Sequence, residues 1–372
     1  MKVAIISFKT YEYGGVERYA YELANHLAKK VEVHLFTNKF VGETDAKVHL
    51  VPAIGKKDLF SVNSFMYFLS RRLKRKSFDI IHSMGPLYLY PDVVTVHMCQ
   101  KRFISRNIFK DFSFIKKYYW IIRTMVAANF QRISFNNAKK VIAVSSSLVK
   151  ELDFSYGVKE PIVIYPGIER KFFQEVDSTV KEKKKKEMGI DNNAFVILFV
   201  GGQWERKGLK YAIRALSLLS KSTLLLVIGS GNIKKYMRLA EEYEVDKRVI
   251  FLGFQKVIFD YYLVSDILVL PSLYEGFGYP VLEAMAMGLP VIVSRDVGAS
   301  ELVRDRETGF VIQNPYDYKE ISSRIASLIG NKTYYSYSSK ARDIARGLSW
   351  ENTMKEILAA YDEVLKNGQQ GI

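Results

Sequence analysis

Short β-rich runs alternate with helical segments along most of the chain, and this alternation starts twice. One round opens at Val3–Phe8 and the other at Phe195–Val200, a run without a single polar residue. Strands that are apolar throughout are typical of parallel sheets that helices cover on both faces. Since alternating strands and helices form βαβ units, each round predicts one doubly wound α/β domain.

The two rounds predict two Rossmann-like, parallel-sheet domains, which agrees with a length of 372 residues at roughly 150 residues per domain. The predicted divisions are an N-terminal domain at 1–168, a linker at 169–192, a C-terminal domain at 193–348 and a final helix at 349–372. Strands are predicted at Val3–Phe8, Val31–Thr37, Val48–Val51, Asp79–His82, Val93–Val96, Val141–Val144, Ile162–Tyr165, Phe195–Val200, Thr223–Ile228, Val249–Leu252, Ile267–Leu270 and Val291–Val293.

The formal net charge of +16 favours an anionic partner, and the distribution of that charge distinguishes between partners. Between Lys101 and Lys150, eleven Lys or Arg residues stand against one acidic residue, Asp111, with aromatic residues between them. Basic and aromatic side chains together are typical of surfaces that contact anionic membranes. Residues 101–125 therefore predict a peripheral membrane contact; the alternative is a long helix whose apolar residues pack inward.

The sequence shows no feature that predicts secretion or membrane insertion. No uncharged stretch reaches the roughly 18 apolar residues of a transmembrane helix, and the first residues predict a strand rather than a signal peptide. Cys99 is the single cysteine, so no internal disulfide can form. We expect a cytoplasmic protein that works at the cytoplasmic face of the membrane.

Two glycine-rich turns join a strand to a helix, one in each predicted domain. The pair Gly14–Gly15 precedes the first helix, and the pair Gly201–Gly202 follows the strand that opens the second round. Glycine lets the backbone approach a ligand closely, and the N–H groups at a helix N-terminus attract an anion such as a diphosphate. The second turn also carries Arg206 and Lys207, two cations that can neutralise a leaving diphosphate as a divalent metal would.

The segment Pro271–Pro290 carries the most specific pattern in the chain. It follows an apolar strand, and Pro280 with Gly288 predicts the start and the end of a short helix. Glu275 lies on the loop before this helix, and Glu283 lies within it. One carboxylate can bind sugar hydroxyls and the other can bind a ribose diol; the alternative for Glu283 is an exposed helix residue.

These residues resemble the retaining glycosyltransferases of the GT-B fold, of the glycosyltransferase family 4 type. That group includes sucrose synthases, mannosyltransferases and lipopolysaccharide glucosyltransferases. The resemblance covers nearly the whole chain, and its most specific element is an E-x7-E motif that begins at Glu275 and ends at Glu283. It implies two Rossmann-like domains that face a central cleft, and a helix at 349–372 that crosses back to the N-terminal domain.

The resemblance implies a role for each motif residue. Glu283 is expected to bind the nucleotide ribose, and Glu275 to lie near the transferred sugar. Arg206 and Lys207 are expected to bind the diphosphate, and His97 to lie beside the reacting face of the sugar, so these last three residues and Glu275 form the catalytic set. The remaining donor-binding residues are Gly14, Gly15, Gly202, Gly253, Phe254, Gly276, Phe277 and Gly278.

The chain departs from the family pattern at two positions. Gly202 stands where an arginine usually follows the first glycine, so the arginine role passes to Arg206. Met98 stands where an aspartate often follows the histidine. With Arg206 in that role, the turn resembles the variant found in lipopolysaccharide-core glucosyltransferases.

The predicted reaction transfers a hexose from a nucleoside-diphosphate sugar, UDP- or GDP-linked, to a hydroxyl of a glycan or lipid-linked acceptor. The resemblance implies retention of the anomeric configuration and no need for a metal ion or cofactor. A sugar phosphorylase or sugar-nucleotide epimerase of the same fold is one alternative. A basic nucleic-acid-binding protein is the other, and we expect no nucleic acid partner because the motif from Glu275 to Glu283 would have no purpose there.

Overall fold

The computed structural model describes residues 1–55, 59–105, 114–174, 177–330 and 334–369. The chain divides into two compact units, Met1–Gly167 with Trp350–Ile372, and Ile168–Ser349. They are called the N-terminal unit and the C-terminal unit below. Each unit contains a large parallel sheet, which confirms the α/β class predicted from the alternation of strands and helices.

The N-terminal unit has nine described strands and, before its final helix, five described helices. The strands are β1 (Lys2–Ile6), β2 (Lys9–Tyr11), β3 (Glu32–Thr37), β4 (Lys39–Val41), β5 (Lys47–Leu50), β6 (Ile80–Met84), β7 (Val93–Val96), β8 (Lys140–Ala143) and β9 (Ile162–Val163). The helices are α1 (Val16–Ala28), α2 (Leu59–Arg72), α3 (Gln100–Ser105), α4 (Phe114–Asn137) and α5 (Ser146–Tyr156). Seven strands form one sheet in the order β5-β3-β1-β6-β7-β8-β9, and β2 pairs with β4. Because β1 lies inside the order, the chain winds first to one side and then to the other.

The C-terminal unit repeats this plan with six described strands and eight described helices. The strands are β10 (Phe195–Val200), β11 (Thr223–Ile228), β12 (Val249–Gly253), β13 (Ile267–Leu270), β14 (Val291–Ser294) and β15 (Gly309–Ile312). The helices are α6 (Ser178–Glu187), α7 (Trp204–Lys207), α8 (Leu209–Leu216), α9 (Ile233–Glu242), α10 (Phe259–Val264), α11 (Tyr279–Ala286), α12 (Tyr318–Ala326) and α13 (Tyr334–Arg346). The sheet order is β12-β11-β10-β13-β14-β15. Five of the six residues of β10 are buried, as its continuous apolar run requires.

All twelve strands predicted from the sequence have counterparts in the structure, and four of them, β7, β10, β11 and β13, have the predicted bounds. Three strands were not predicted: β2, β4 and β15. β2 and β4 have three residues each and pair only with one another, so no apolar run marks them. β15 has four residues and begins at a glycine, which is unfavourable inside strands.

The final helix, α14 (Trp350–Gln369), belongs to the N-terminal unit. The Tyr361 hydroxyl lies 2.6 Å from Nδ1 of His82, whose Nε2 lies 2.7 Å from the Thr95 hydroxyl. Burial, with a smaller effect of His97, lowers the pKa of His82 to about 3, so this ring is neutral at physiological pH. The hydrogen bonds therefore join α14 to the central strands β6 and β7.

The residues 169–192 lie in the C-terminal unit and contain α6, which carries the lysine-rich run. Lys181 donates to the Ser265 carbonyl and to Asp266, both at 2.7 Å. Lys185 is 4% exposed and donates to the Ala194 carbonyl at 2.8 Å. These bonds attach α6 to the residues that precede β10 and β13, the two central strands of the sheet, so two of its lysines serve packing.

Candidate functional site

The predicted site residues of the C-terminal unit gather at one edge of its sheet. In an open parallel sheet, ligands bind beyond the carboxyl ends of the strands, at the point where the strand order reverses. Here the order reverses between β10 and β13. Arg206 and Lys207 follow β10, and Glu275 follows β13. The switch point therefore carries three of the four residues predicted to be catalytic.

The turn after β10 has a backbone that depends on glycine. Gly201 has a φ of +128°, and a Cβ atom there would overlap the Lys207 side chain. Trp204, at the start of α7, is fully buried and donates its indole N–H to the Gly201 carbonyl at 3.0 Å. The turn thus packs closely over Trp204 and Lys207, and this packing fixes where α7 begins.

Arg206, Lys207 and Glu275 form one ion cluster. Nη1 of Arg206 and Nζ of Lys207 lie 2.7 and 3.0 Å from the same carboxylate oxygen, Oε2 of Glu275. Arg206 also donates to the Tyr274 carbonyl at 2.6 Å and to the Gln203 side-chain oxygen at 2.8 Å. None of the three charged side chains is more than 19% exposed. Two cations and one anion therefore share a largely buried position at the switch point.

The charges in this ion cluster control each other's ionisation. Burial alone would raise the pKa of Glu275, but the charges of Arg206 and Lys207 outweigh burial and lower the pKa to about 2. Burial lowers the pKa of Lys207 from its ordinary value, and the charge of Glu275 opposes that shift. Glu275 is therefore an anion throughout the physiological pH range.

The loop that carries Glu275 is held by the loop after β14. The Glu275 N–H donates to the Asp296 carbonyl, and the Gly298 N–H donates to the Glu275 carbonyl, both at 2.9 Å. The segment Gly276–Gly278, predicted to bind the donor, leads directly into α11. Within it, the Phe277 carbonyl accepts a 2.7 Å hydrogen bond from the Ala299 N–H. Neighbouring backbone thus fixes this segment before any ligand binds.

Glu283 lies on α11 and is only 1% exposed, so the alternative of an exposed helix residue does not apply. Its Oε2 accepts a 2.6 Å hydrogen bond from the hydroxyl of Tyr262, on α10. Tyr262 is itself fully buried and packs edge-on against Phe172. A buried carboxylate is costly unless it is hydrogen-bonded, so Tyr262 both stabilises Glu283 and orients it.

Gly253 and Phe254, which are predicted to bind the donor, lie at the same edge of the sheet. The Gly253 carbonyl accepts a 2.7 Å hydrogen bond from the Gly229 N–H, and the Gly201 N–H donates to the Ile228 carbonyl at 2.8 Å. These bonds hold the ends of β10, β11 and β12 side by side. Phe254 is 55% exposed beside them, and Gly202 lies next to the Ser230 carbonyl.

The N-terminal unit has its predicted site residues at the carboxyl edge of its own sheet. Gly14, with a φ of +100°, and Gly15 lead into α1, and His97 follows β7 directly. Tyr19 on α1 packs edge-on against the His97 ring, with ring centroids 4.7 Å apart. The helix that starts at the glycine turn therefore also positions the histidine.

The His97 ring is neutral at physiological pH. Burial lowers the pKa of His97 to about 3. Its Nε2 atom is buried and makes no hydrogen bond to any part of the chain that the structure describes. Most buried side-chain polar atoms have a partner, and an exception requires a reason such as a catalytic role. This atom is therefore a candidate to bond a ligand.

The segment predicted to contact membrane is described only in part, since residues 106–113 lie outside the described residues. On α4, Phe114, Ile115, Ile122 and Met125 are between 58% and 83% exposed. Other apolar residues of the same helix, such as Phe135, are buried, so inward packing accounts for one face of α4 and leaves another uncovered. Across the described ranges, no helix is long and apolar enough to cross a bilayer.

Three residues that shape the site were not predicted from the sequence. Tyr262 orients Glu283, Gln203 accepts a hydrogen bond from Arg206, and Tyr19 packs on His97. Gln203 has a positive φ of 53°, which is uncommon for a residue other than glycine. No local pattern marks Tyr262 or Tyr19, because each acts through a contact that folding creates, whereas Gln203 bonds a residue only three positions along the chain.

Two family models match the chain. The model described as Glycosyltransferase Family 4 matches residues 13–172, and the model described as Glycosyl transferases group 1 matches residues 180–346. The first match includes the glycine turn and His97, and the second includes the ion cluster and Glu283. Together the two matches take in every residue predicted for the site.

Three curated relatives share parts of this sequence. An uncharacterized glycosyltransferase, MJ1607, of Methanocaldococcus jannaschii is 34% identical over 60% of this chain and 59% of its own length, less than two thirds of that protein. The lipopolysaccharide glucosyltransferase WaaG of Escherichia coli is 23% identical over 87% of this chain and 88% of its own. An Escherichia coli UDP-Gal:alpha-D-GlcNAc-diphosphoundecaprenol alpha-1,3-galactosyltransferase is 27% identical over 73% of this chain and 70% of its own.

The fold is also found among solved structures. The crystal structure of WaaG, a glycosyltransferase involved in lipopolysaccharide biosynthesis, superposes with a TM-score of 0.81 at 22% identity. The superposition covers 94% of this chain and 98% of that one. Both parallel-sheet units therefore have counterparts in one known architecture.

Proposed function

Because the chain belongs to the family 4 glycosyltransferases and has their GT-B fold, we propose that it transfers a hexose from a nucleoside-diphosphate sugar to an acceptor hydroxyl. The observation that carries this proposal is the ion cluster of Arg206, Lys207 and Glu275 at the switch point of the C-terminal sheet. UDP is the favoured nucleotide, since one relative is named for a UDP-linked donor, and GDP is the next candidate.

Arg206 and Lys207 supply the electrostatic part of the proposed catalysis. When the bond between sugar and diphosphate breaks, negative charge develops on the leaving phosphate. Cations already fixed in a largely buried site stabilise that charge without reorganising, and losing one such group typically costs about 10²- to 10³-fold in rate. Two buried cations at this position take the role of a divalent metal, so we propose that transfer requires no metal ion.

The other site residues bind and orient the donor in this proposal. Glu283, held by Tyr262, binds the ribose diol, and Glu275 accepts hydrogen bonds from hydroxyls of the transferred sugar. His97, kept neutral by burial, hydrogen-bonds the sugar near its reacting carbon. The configuration is retained when the acceptor oxygen bonds to that carbon on the face the diphosphate leaves, while the leaving phosphate oxygen takes the acceptor proton.

Nucleotide binding tests the donor site directly. In calorimetric titrations with EDTA present, we expect the wild type to bind one of UDP, GDP and ADP, and Glu283→Ala to bind it at least about tenfold more weakly. The reason is that a hydrogen bond to a charged group contributes about 1.5–3 kcal/mol. Glu242→Ala, which removes an exposed glutamate of the same unit, is the matched control and should bind as the wild type does.

The same titrations separate the alternatives. Binding that requires added Mg²⁺ would contradict metal independence, and no binding of any nucleotide would contradict the transferase proposal. Steeply salt-dependent binding of nucleic acid would then support the basic-protein alternative. If the donor binds, supplying free phosphate in place of the acceptor distinguishes a phosphorylase, because a phosphorylase releases the sugar as its phosphate.

We further propose that the acceptor is lipid-linked or otherwise held at the cytoplasmic face of a membrane. Two observations support this. The galactosyltransferase relative is named for an acceptor on diphosphoundecaprenol, and the exposed apolar face of α4 lies in a segment with eleven basic residues and one acidic residue. Apolar insertion together with attraction to anionic headgroups is the usual basis of peripheral membrane binding.

Vesicle co-sedimentation tests the α4 surface. Replacing Tyr118, Ile122 and Met125 by serine together is expected to reduce binding to phosphatidylglycerol vesicles by at least about tenfold, since each fully buried apolar side chain contributes roughly 1.5–3 kcal/mol. The control is Phe154→Ser, which removes an 89% exposed aromatic residue from α5 in the same unit and should leave binding unchanged. A triple variant that sediments with vesicles as the wild type does would rule out this membrane contact.

A further inference from the structure

One buried side chain on α4 bonds the loop that carries His97. Gln131 on α4 is 1% exposed. Its amide nitrogen donates to the Met98 carbonyl at 2.6 Å, and its Oε1 accepts a 3.0 Å hydrogen bond from the Gln100 N–H. Gln131 therefore bonds the chain at the first and the third residue after His97.

These hydrogen bonds satisfy backbone groups that the loop cannot satisfy itself. The first N–H groups of a helix have no partner within that helix, and Gln100 is the first residue of α3. Gln131 thus caps α3 from another helix. Its Oε1 accepts a second hydrogen bond, of 2.9 Å, from the Tyr156 hydroxyl on α5. Cys99, between the two bonded residues, is fully buried, so the middle of the loop is packed as well as bonded.

His97 depends on this loop for its position. Its Nε2 makes no hydrogen bond within the described part of the chain, and its ring rests on Tyr19. The direction in which the imidazole points is therefore set by the backbone that follows it and by ring packing. Misplacing a reacting or orienting group by about 1 Å can lower a rate by about 100-fold.

We infer that Gln131 is a positioning residue for His97, acting through the Met98 carbonyl and the Gln100 amide. The inference rests on the proposed function, because it takes His97 to orient the transferred sugar. It also gives α4 a second role. One face of α4 is exposed and apolar, and its buried face would hold the His97 loop. The proposed membrane surface and the histidine loop therefore depend on the same helix.

The test is a double-mutant cycle of Gln131→Met and His97→Ala, read as the rate of sugar transfer at saturating donor. Gln131→Met alone should lower the rate by about 10- to 100-fold and leave the Kd for the nucleotide within about twofold of the wild type, because Glu283 and the ion cluster lie in the other unit. Added to His97→Ala, it should cause no further loss. Ser134→Ala removes a neighbouring buried hydrogen bond of α4, to the Tyr88 carbonyl, and is the control for a purely structural loss.

Each outcome of this cycle supports or overturns the inference. If Gln131→Met keeps the wild-type rate while His97→Ala is impaired, the inference is overturned but the proposed function is not. The same holds if Gln131→Met lowers the rate equally with and without His97→Ala. It also holds if Ser134→Ala lowers the rate as much as Gln131→Met does. A wild-type rate for His97→Ala overturns the proposed role of His97 and the inference with it. If Gln131→Met does not fold, Gln131→Glu keeps both acceptor bonds but places a carboxylate oxygen against the Met98 carbonyl, so repulsion replaces the donated hydrogen bond. In either variant, an NMR titration should show the pKa of His97 rising from about 3 towards its ordinary value as the loop loosens; an unchanged pKa contradicts the inference.

Discussion

Lys207→Met is expected to lower the rate of sugar transfer by about 10²- to 10³-fold while the protein stays folded. Lys207 is the nearly buried cation that shares the Glu275 carboxylate with Arg206, at 3.0 Å from Oε2. Methionine keeps most of the length of the side chain against Gly201 but removes the charge. Because that charge is proposed to act on the leaving phosphate, the loss should appear mainly in kcat and less in KM.

Steady-state kinetics with the cognate donor and acceptor measure this effect, with Lys319→Met as the control. Lys319 is an exposed lysine of the same unit, at the start of α12, so its replacement changes the net charge equally without altering the ion cluster. A Lys207→Met enzyme within about threefold of the control would contradict the leaving-group role, which predicts a loss of at least about 100-fold. A fall that appears only in KM would assign Lys207 to donor binding alone.

Gly208→Ala is expected to lower the free energy of unfolding of the C-terminal unit by about 3 kcal/mol or more. Gly208 separates α7 from α8 with a φ of +78°, and a Cβ atom there would overlap the backbone carbonyl of Pro271. The left-handed conformation alone costs a residue other than glycine about 1–2 kcal/mol. The overlap adds to this, because Pro271 begins the loop that carries Glu275 and the backbone there cannot move aside without displacing the site.

Gly189→Ala separates these two contributions. Gly189 has nearly the same φ, +68°, but beyond its chain neighbours no atom lies within 4 Å of where its Cβ would stand. It should therefore show only the conformational cost, about 1–2 kcal/mol, in urea denaturation followed by tryptophan fluorescence. Equal denaturation midpoints for the two variants would mean that the approach of Gly208 to Pro271 has no energetic weight. Nucleotide binding should weaken in Gly208→Ala alone, since Arg206 and Lys207 directly precede it.

Much of the fold could be predicted from the sequence because the signals are local. A strand buried on both faces must be apolar along its length, which is why Phe195–Val200 was recognised with its observed bounds. The same reasoning fails for β2 and β4, since a three-residue strand has too few residues to show a pattern. β15 was missed for a similar reason, because it is short and begins at glycine.

The sequence also determined which residues reach the edge of each sheet. Residues that directly follow parallel strands must lie at the carboxyl edge, so the positions of Arg206, Lys207 and Glu275 follow from the strands before them. Their roles in catalysis remain predictions. What the sequence could not determine is that both cations bond the same oxygen of Glu275, since that depends on how closely the two loops approach.

The sequence by itself thus determined two doubly wound α/β units and the strand ends at which chemistry is placed, because hydrophobic periodicity and glycine positions are properties of neighbouring residues. Only the tertiary structure decided which distant side chains hold that chemistry in place. Tyr262 bonds Glu283 from 21 residues away, and Gln131 bonds Gln100 from 31 residues away. No spacing encodes such pairs, because they depend on how helices pack on the sheet, and packing is a property of the whole fold.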